Sequence, residues 1–179
     1  MNMSVYLIPD IHPKERDRQQ AIEDSQVMSL VKSKTFSPIL DVVREELRVG
    51  AVAISIVYKE SAYFLAAAGF DTGVYRRATS LCAHAILHPD DLIVVSDTRV
   101  DARFSGNPLV EDAGGVGFYA AVQLRDQNDL PLGTVCVFDS APRAGLTPQE
   151  VACLRQISNA ITALIQCHAQ ASEGVVQAA

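Results

Sequence analysis

Phe118-Tyr119-Ala120-Ala121-Val122-Gln123-Leu124-Arg125, then Asp126-Gln127-Asn128-Asp129, then Leu132-Gly133-Thr134-Val135-Cys136-Val137-Phe138 decide the fold. The two apolar runs read as strands, and the polar residues between them suit a hairpin. A helix comes next. Thr147 caps it, Pro148 occupies its first turn and Glu150 completes a capping box. Val151, Leu154, Ile157 or Ser158, Ile161, and Leu164 or Ile165 recur at steps of three and four, a stripe wide enough to serve the sheet and a partner helix together. Gly174 is expected to end this helix.

Upstream of the hairpin, 92–96 is a compact strand, and 97–115 lacks a clear period, a loop long enough to expect function in it. Before these, Thr79 or Ser80 starts a short helix over 81–87 that Pro89 stops. Ala51–Tyr58 and 62–68 form a first hairpin across Lys59-Glu60-Ser61. Both runs are apolar on both faces, which implies a sheet covered on both sides. Ser37 as cap, Pro38 in the first turn and Gly50 as left-handed stop bound a helix with Ile39, Leu40, Val43 and Leu47 on one face. A more polar helix over 13–34 precedes it, with Ile22, Val27, Leu30 and Val31 as its apolar positions. Strands flanked by helices at both chain ends make one α+β domain.

Composition narrows the function classes. A chain of 179 residues, 49% hydrophobic and 20% charged, can bury a full core without a metal or disulfide staple. Fifteen Lys and Arg against 21 Asp and Glu leave a net charge of −6, which argues against the basic face of a nucleic-acid binder. The first ten residues lack a signal-peptide pattern, and the longest apolar stretch, 51–58, is far too short to span a bilayer. The expected location is the cytoplasm, with no membrane partner. Cys82, Cys136, Cys153 and Cys167 form no C-x-x-C pair and are expected to be reduced thiols.

Several segments, in their order and spacing, resemble the GAF domains, small-molecule regulatory modules of cyclic-nucleotide phosphodiesterases, cyclases and many bacterial sensors. They are Leu81-Cys82-Ala83-His84-Ala85-Ile86-Leu87, Val95-Ser96-Asp97 with Asp101-Ala102-Arg103-Phe104, and Asn107-Pro108-Leu109-Val110. Phe118-Tyr119-Ala120, Leu132-Gly133-Thr134-Val135-Cys136-Val137 and Asp139 near Pro142-Arg143 continue the series. The likeness is to the bacterial-sensor branch. It implies a six-stranded antiparallel sheet with the terminal helices on one face and a ligand pocket on the other. The residue pattern supplies only five strands, so the sixth is either overlooked or within 97–115. The resemblance divides the chain into a helical extension over 1–36, a GAF domain over 37–168 and a tail over 169–179. Relatives usually carry Arg before Phe-Tyr-Ala-Gly, whereas here Gly117 replaces the Arg and Ala121 the Gly. The pocket contact that this arginine supplies in relatives is therefore absent.

Candidate chemistry centres on the 81–119 region. His84 and His88, at i and i+4 with Cys82 nearby, have the spacing of metal ligands on a helix face. Two histidines in a last helical turn also complement its negative end, and no fourth ligand is signalled, so no metal or cofactor is expected. Some stand-alone GAF proteins reduce free methionine sulfoxide with pocket-loop cysteines, which makes a thiol oxidoreductase using Cys82 the alternative function. Cys136 alternates with strand valines, and Cys153 and Cys167 sit on the last helix, leaving Cys82 alone near the pocket. Related bilin photoreceptors attach their chromophore at a Cys followed directly by His, where Ala83 intervenes here. Asp97, Arg99, Asp101 and Arg103 alternate in sign, as a ladder of surface ion pairs or, through Arg103, an anion anchor. Phe104, Phe118 and Tyr119 have the makings of an aromatic wall, or of core. Gly114-Gly115-x-Gly117 precedes a strand and is a bend or hinge, not a phosphate loop.

The expected function is a non-catalytic small-molecule sensor. Its ligand-binding set is Cys82, His84, Ile86, Arg103, Phe104, Phe118 and Tyr119, with the pocket between the sheet and segment 80–119. With short flanks on either side of the resemblance no output domain is expected, and signalling is expected in trans, through a homodimer formed by the terminal helices or a separate signalling protein. A ligand-free dimerisation module is the remaining alternative.

Overall fold

A computed structural model describes residues 6–31, 33 and 35–177, with side chains described as far as 171. Its elements are α1 (Glu15–Asp24), a 3₁₀ turn (Val27–Leu30), α2 (Ser37–Leu47), β1 (Ala51–Tyr58), β2 (Ser61–Ala68) and β3 (Val74–Arg76). A second 3₁₀ turn (Arg77–Thr79), α3 (Leu81–Ala85), β4 (Leu92–Val95), α4 (Pro108–Glu111), β5 (Phe118–Arg125), β6 (Pro131–Asp139) and α5 (Pro148–Gln177) complete the chain. The fold is α+β: one six-stranded antiparallel sheet in the order β3-β2-β1-β6-β5-β4.

Strand period two assigns the faces. Val52, Ile54 and Ile56 of β1, Val135 and Val137 of β6, and Phe118, Ala120, Val122 and Leu124 of β5 pack under the helices with Ile22, Leu40, Val43, Leu47, Leu154, Ile161 and Ile165. The intervening positions Ala53, Val57, Tyr119, Ala121 and Cys136 face the other way, against α3, Phe104 and Val110. The sheet is thus covered on both sides, as the mostly apolar run 51–58 implies.

Several boundaries differ from the sequence reading. The helix expected over 13–34 stops at Asp24, where the Ser25 hydroxyl donates to Ile22 O (2.8 Å) and Gln26 turns left-handed (φ 53°) into the 3₁₀ turn. Lys32 and Lys34 lie outside the described residues. In α2 the N-cap is Phe36, not Ser37, and the left-handed C-cap is Arg48 (φ 49°), not Gly50. Gly50 instead donates its N–H to Asp139. The sixth strand is β3, only three residues long and so too short for a periodic signal, and not part of 97–115. The 97–115 stretch holds α4, capped by Asn107, whose side chain accepts from Leu109 N (2.9 Å) and donates to Thr79 O (3.1 Å). The helix expected over 81–87 ends at Ala85. The Thr147–Glu150 capping box is present, with Thr147 N donating to Glu150 Oε2 (2.7 Å) and Glu150 N to Thr147 Oγ1 (3.2 Å). That helix continues through Gly174 to Gln177, because a glycine permits termination without enforcing it.

The segment before α1 crosses to the α3 side, where His84 Nε2–H donates to Leu7 O (3.0 Å). α1 is tied to the sheet by buried Arg18, whose Nη1 donates to Pro131 O (3.3 Å) and Leu132 O (3.4 Å). Glu15 accepts from Arg18 (2.8 Å) and Arg77 (2.5 Å), joining α1 to the turn after β3. No helix of the described residues is long and apolar enough to cross a membrane.

Candidate functional site

α3, the loop from α4 to β5, and the sheet face away from the terminal helices line an open cavity of about 440 Å³. Its floor is set by strand parity. Tyr119 pairs with Phe138, and Cys136, two residues before Phe138, shares that face, so all three point into the cavity. α3 starts where the Ser80 side chain accepts from Ala83 N (3.3 Å), and this places Cys82 over β6. One wall is aromatic. Phe64 meets Phe70 and Tyr75 edge-on, each with centroids 5.3 Å apart, and Phe70 meets Phe138 at 5.0 Å.

The roof depends on two glycines. Val116 N donates to Leu109 O (2.8 Å), folding the loop back on α4, and a Cβ at Gly115 would stand 2.5 Å from Val110 O. A Cβ at Gly117 would stand 2.3 Å from Ser140 O. Gly117 also donates its N–H to Asp139 O (2.8 Å), so this segment is a fixed bend rather than a hinge. The same contact explains why no arginine stands at 117: the backbone of 140 occupies the space its side chain would leave through.

The charged side chains that line the cavity have one sign. Asp112 and Asp139 are the charged side chains in its lining, and no Lys, Arg or His of the described residues joins them. Asp139 accepts from Gly50 N and from Arg143 Nη1 (3.3 Å), and Arg143 Nη2 reaches Glu150 in the first turn of α5 (3.2 Å). The cavity rim is therefore hydrogen-bonded to the start of the long helix.

Of the residues singled out in sequence, the structure brings Cys82 and Tyr119 into the cavity lining. His84, Ile86 and Phe104 are buried beside it without lining it, with Phe104 edge-on to His84 at 5.2 Å and 6.1 Å from Tyr119. Burial, foremost, lowers the His84 pKa below the ordinary imidazole value, against the opposing bond to Leu7 O. Phe118 does not join Tyr119: adjacent strand residues face opposite ways, and Phe118 lies in the helix-side core beneath Arg143. Arg103 is held by Asp101 in a two-point pair (2.8 and 2.6 Å), as Arg99 is by Asp97 (2.9 and 2.9 Å), so the alternating charges form the ion-pair ladder. His84 and His88 bond separately to Leu7 O and Asp90 O, and no three metal-ligating side chains gather among the described residues.

Cys82 is not the lone thiol of the pocket. Cys136 Sγ lies 3.9 Å from Cys82 Sγ, both line the cavity, and both are free thiols. The Tyr119 hydroxyl donates to Cys82 Sγ (3.4 Å), and Ser55 and Thr134, buried and 3.1 Å apart, complete the polar floor. The bond from Cys136 draws Cys82 below the ordinary thiol range; burial opposes it, and Ser55, Thr134 and Tyr119 add to it. That same bond, then burial, pushes Cys136 upward. The signal for Cys136 was available in its parity with Phe138. Phe64, Phe70 and Tyr75 gave no local signal, because they come from β2, the loop after it and β3 and converge only in the folded sheet.

A family model described as GAF domain matches residues 33–165. The cyclic di-GMP phosphodiesterase PA2567 of Pseudomonas aeruginosa is 30% identical over 157 residues, which cover 88% of this chain and 27% of that protein. The chain thus spans about a quarter of the length of this curated relative. Among solved structures, the type II free methionine-R-sulfoxide reductase of Thermoplasma acidophilum superposes with a TM-score of 0.58 at 15% identity, covering 75% of this chain and 89% of that one. A phycocyanobilin-bound GAF domain from a cyanobacterial phytochrome does so with 0.60 at 14% identity, covering 86% and 94%. At these identities the structural likeness is one of fold.

Proposed function

This chain belongs to the GAF domain family, and on that premise we propose that it is a non-catalytic sensory module whose ligand is a small, flat, uncharged or cationic organic molecule. The observation that carries this is the cavity itself: about 440 Å³, five aromatic side chains in its lining, and carboxylates as its charged groups. Aromatic faces and carboxylates attract cations and accept neutral rings, while an anionic phosphate would meet carboxylates in the lining, with Arg143 already engaged by Asp139. The phosphodiesterase activity in the relative's name is not carried over, since the match spans 27% of that protein.

Output is proposed to run through α5. Asp139 shares Arg143 with Glu150, so a ligand that engages Asp139 competes for the contact holding the first turn of α5. Two copies meeting along the exposed side of α5 would pass that change on in trans.

Thermal-shift screening tests the assignment with two panels, neutral and cationic heteroaromatic amines against cyclic mononucleotides and dinucleotides. A ligand at a hundredfold its Kd adds about 2.7 kcal/mol, which raises Tm by several degrees. Hits are expected in the first panel, weakened by Phe138→Ala and Tyr75→Ala. Saturable binding of the nucleotides alone, or steady turnover of free methionine sulfoxide abolished by Cys82→Ser, overturns the proposal.

A further inference from the structure

The geometry points to a redox modification site: we propose that Cys82 and Cys136 are an oxidisable dithiol that reduces one molecule of a small hydroperoxide entering the cavity and closes to an intramolecular disulfide. The inference is independent of which organic ligand the cavity takes.

Three observations carry it. The two sulfurs are 3.9 Å apart, on elements far apart in sequence, and an S–S bond would draw them to roughly 2.05 Å. Both line a cavity wide enough to admit a peroxide, although each residue is nearly inaccessible from outside, at 3% and 1% exposure. Both thiols lie in the buried cluster of this face, yet Cys82 has the polar partners that a reactive thiol needs: Tyr119 donates to its Sγ, and the hydroxyls of Ser55 and Thr134 act on it from the same buried layer. By contrast, Cys153 is half-buried on α5 with its pKa raised, foremost by burial, and Cys167 is exposed.

The step balances. Cys82 thiolate attacks the outer oxygen of ROOH, the O–O bond breaks, and the leaving alkoxide takes a proton to become ROH. Cys82 is then a sulfenic acid. Cys136 attacks its sulfur, the S–O bond breaks, and hydroxide leaves with the Cys136 proton as water while the S–S bond forms. Two thiols lose two electrons, and the hydroperoxide gains them. The product ties α3 to β6 across the cavity floor.

The test uses the full chain with Cys153→Ser and Cys167→Ser, which leaves only the pair, beside the wild type. Each is treated with equimolar hydrogen peroxide, alkylated, denatured and analysed by mass spectrometry. Expected are a loss of two hydrogens, a Cys82–Cys136 cross-linked peptide reversed by dithiothreitol, and, in wild type, oxidation of the pair at least tenfold faster than of Cys167. Adding Cys136→Ser should abolish the cross-link and leave a sulfenic acid at Cys82 that dimedone traps. Tyr119→Phe should slow the reaction and move its pH midpoint upward, which a purely structural role would not do. Circular dichroism of each variant confirms folding. Oxidation of Cys167 in wild type while Cys82 and Cys136 remain alkylatable thiols overturns the proposal, as does a cross-link between any other pair.

Discussion

Glu15 stands between Arg18 and Arg77, and the fate of that one carboxylate decides whether two buried guanidinium groups are neutralised. Burial works against its charge, yet hydrogen bonds from Arg18, Arg77 and Gln19 hold its pKa well below the ordinary carboxylate range. Because the folded pKa is lowered, the stabilisation is full above the unfolded value of about 4.3 and is lost as pH falls below it. Glu15→Gln is expected to cost about 2 kcal/mol at neutral pH, less than for a fully buried pair because Glu15 keeps 19% exposure. Urea titrations at pH 7 and pH 3 should show the wild type losing more stability than the variant between the two. Gly117 makes a second point at this scale. Gly117→Arg, which restores the residue usual in relatives, should not create an anion site but should destabilise by roughly 1–3 kcal/mol, because its Cβ meets Ser140 O at 2.3 Å. Melting curves with and without cyclic nucleotide check both halves.

Among the elements, α5 shows how a legible apolar pattern is divided between buried and exposed positions. Its capping box was readable from three residues, and Thr147→Ala should cost about 1 kcal/mol by denaturant titration. Its apolar stripe was readable too, but Ile161 and Ile165 are 0% and 2% exposed because they are spent against the sheet. Glutamate at either position is therefore expected to unfold the protein rather than yield a folded monomer. Leu164, 48% exposed, is the position that tests association along α5: Leu164→Glu should keep the wild-type circular dichroism and give a monomer by light scattering where the wild type gives a dimer. β3 is the opposite case, three residues whose strand character comes from pairing with β2 and not from their own pattern.

For the molecule as a whole, the sheet buries a core on each face but carries the aromatic-walled cavity on one only, and neighbouring residues in one strand fall on different sides of that division. Phe118→Ala empties a fully buried site under the helices and is expected to cost 3–5 kcal/mol while leaving the cavity's ligand preference intact. Phe138→Ala removes part of the aromatic wall and should weaken ligand binding far more than it lowers Tm. Calorimetric binding beside thermal melts of the two variants gives the comparison. An effect of Phe118→Ala on affinity equal to that of Phe138→Ala would count against the placement of the site.

What the sequence determined by itself was whatever depends on residues close along the chain: the two hairpins, the capped start of α5, the short helix begun by Ser80, and a sheet apolar on both faces. The ordered motifs also determined the family, since their joint spacing is far more specific than any one segment. Only the tertiary structure decided which thiol faces Cys82, which rings form the wall, and that Arg103 is bound to Asp101 instead of aimed at a ligand. The reason is physical. Strand parity fixes which side a residue takes but not what stands opposite, and the partners of this cavity come from β2, β3, α3, β5 and β6, whose relative placement is set by packing over the entire sheet.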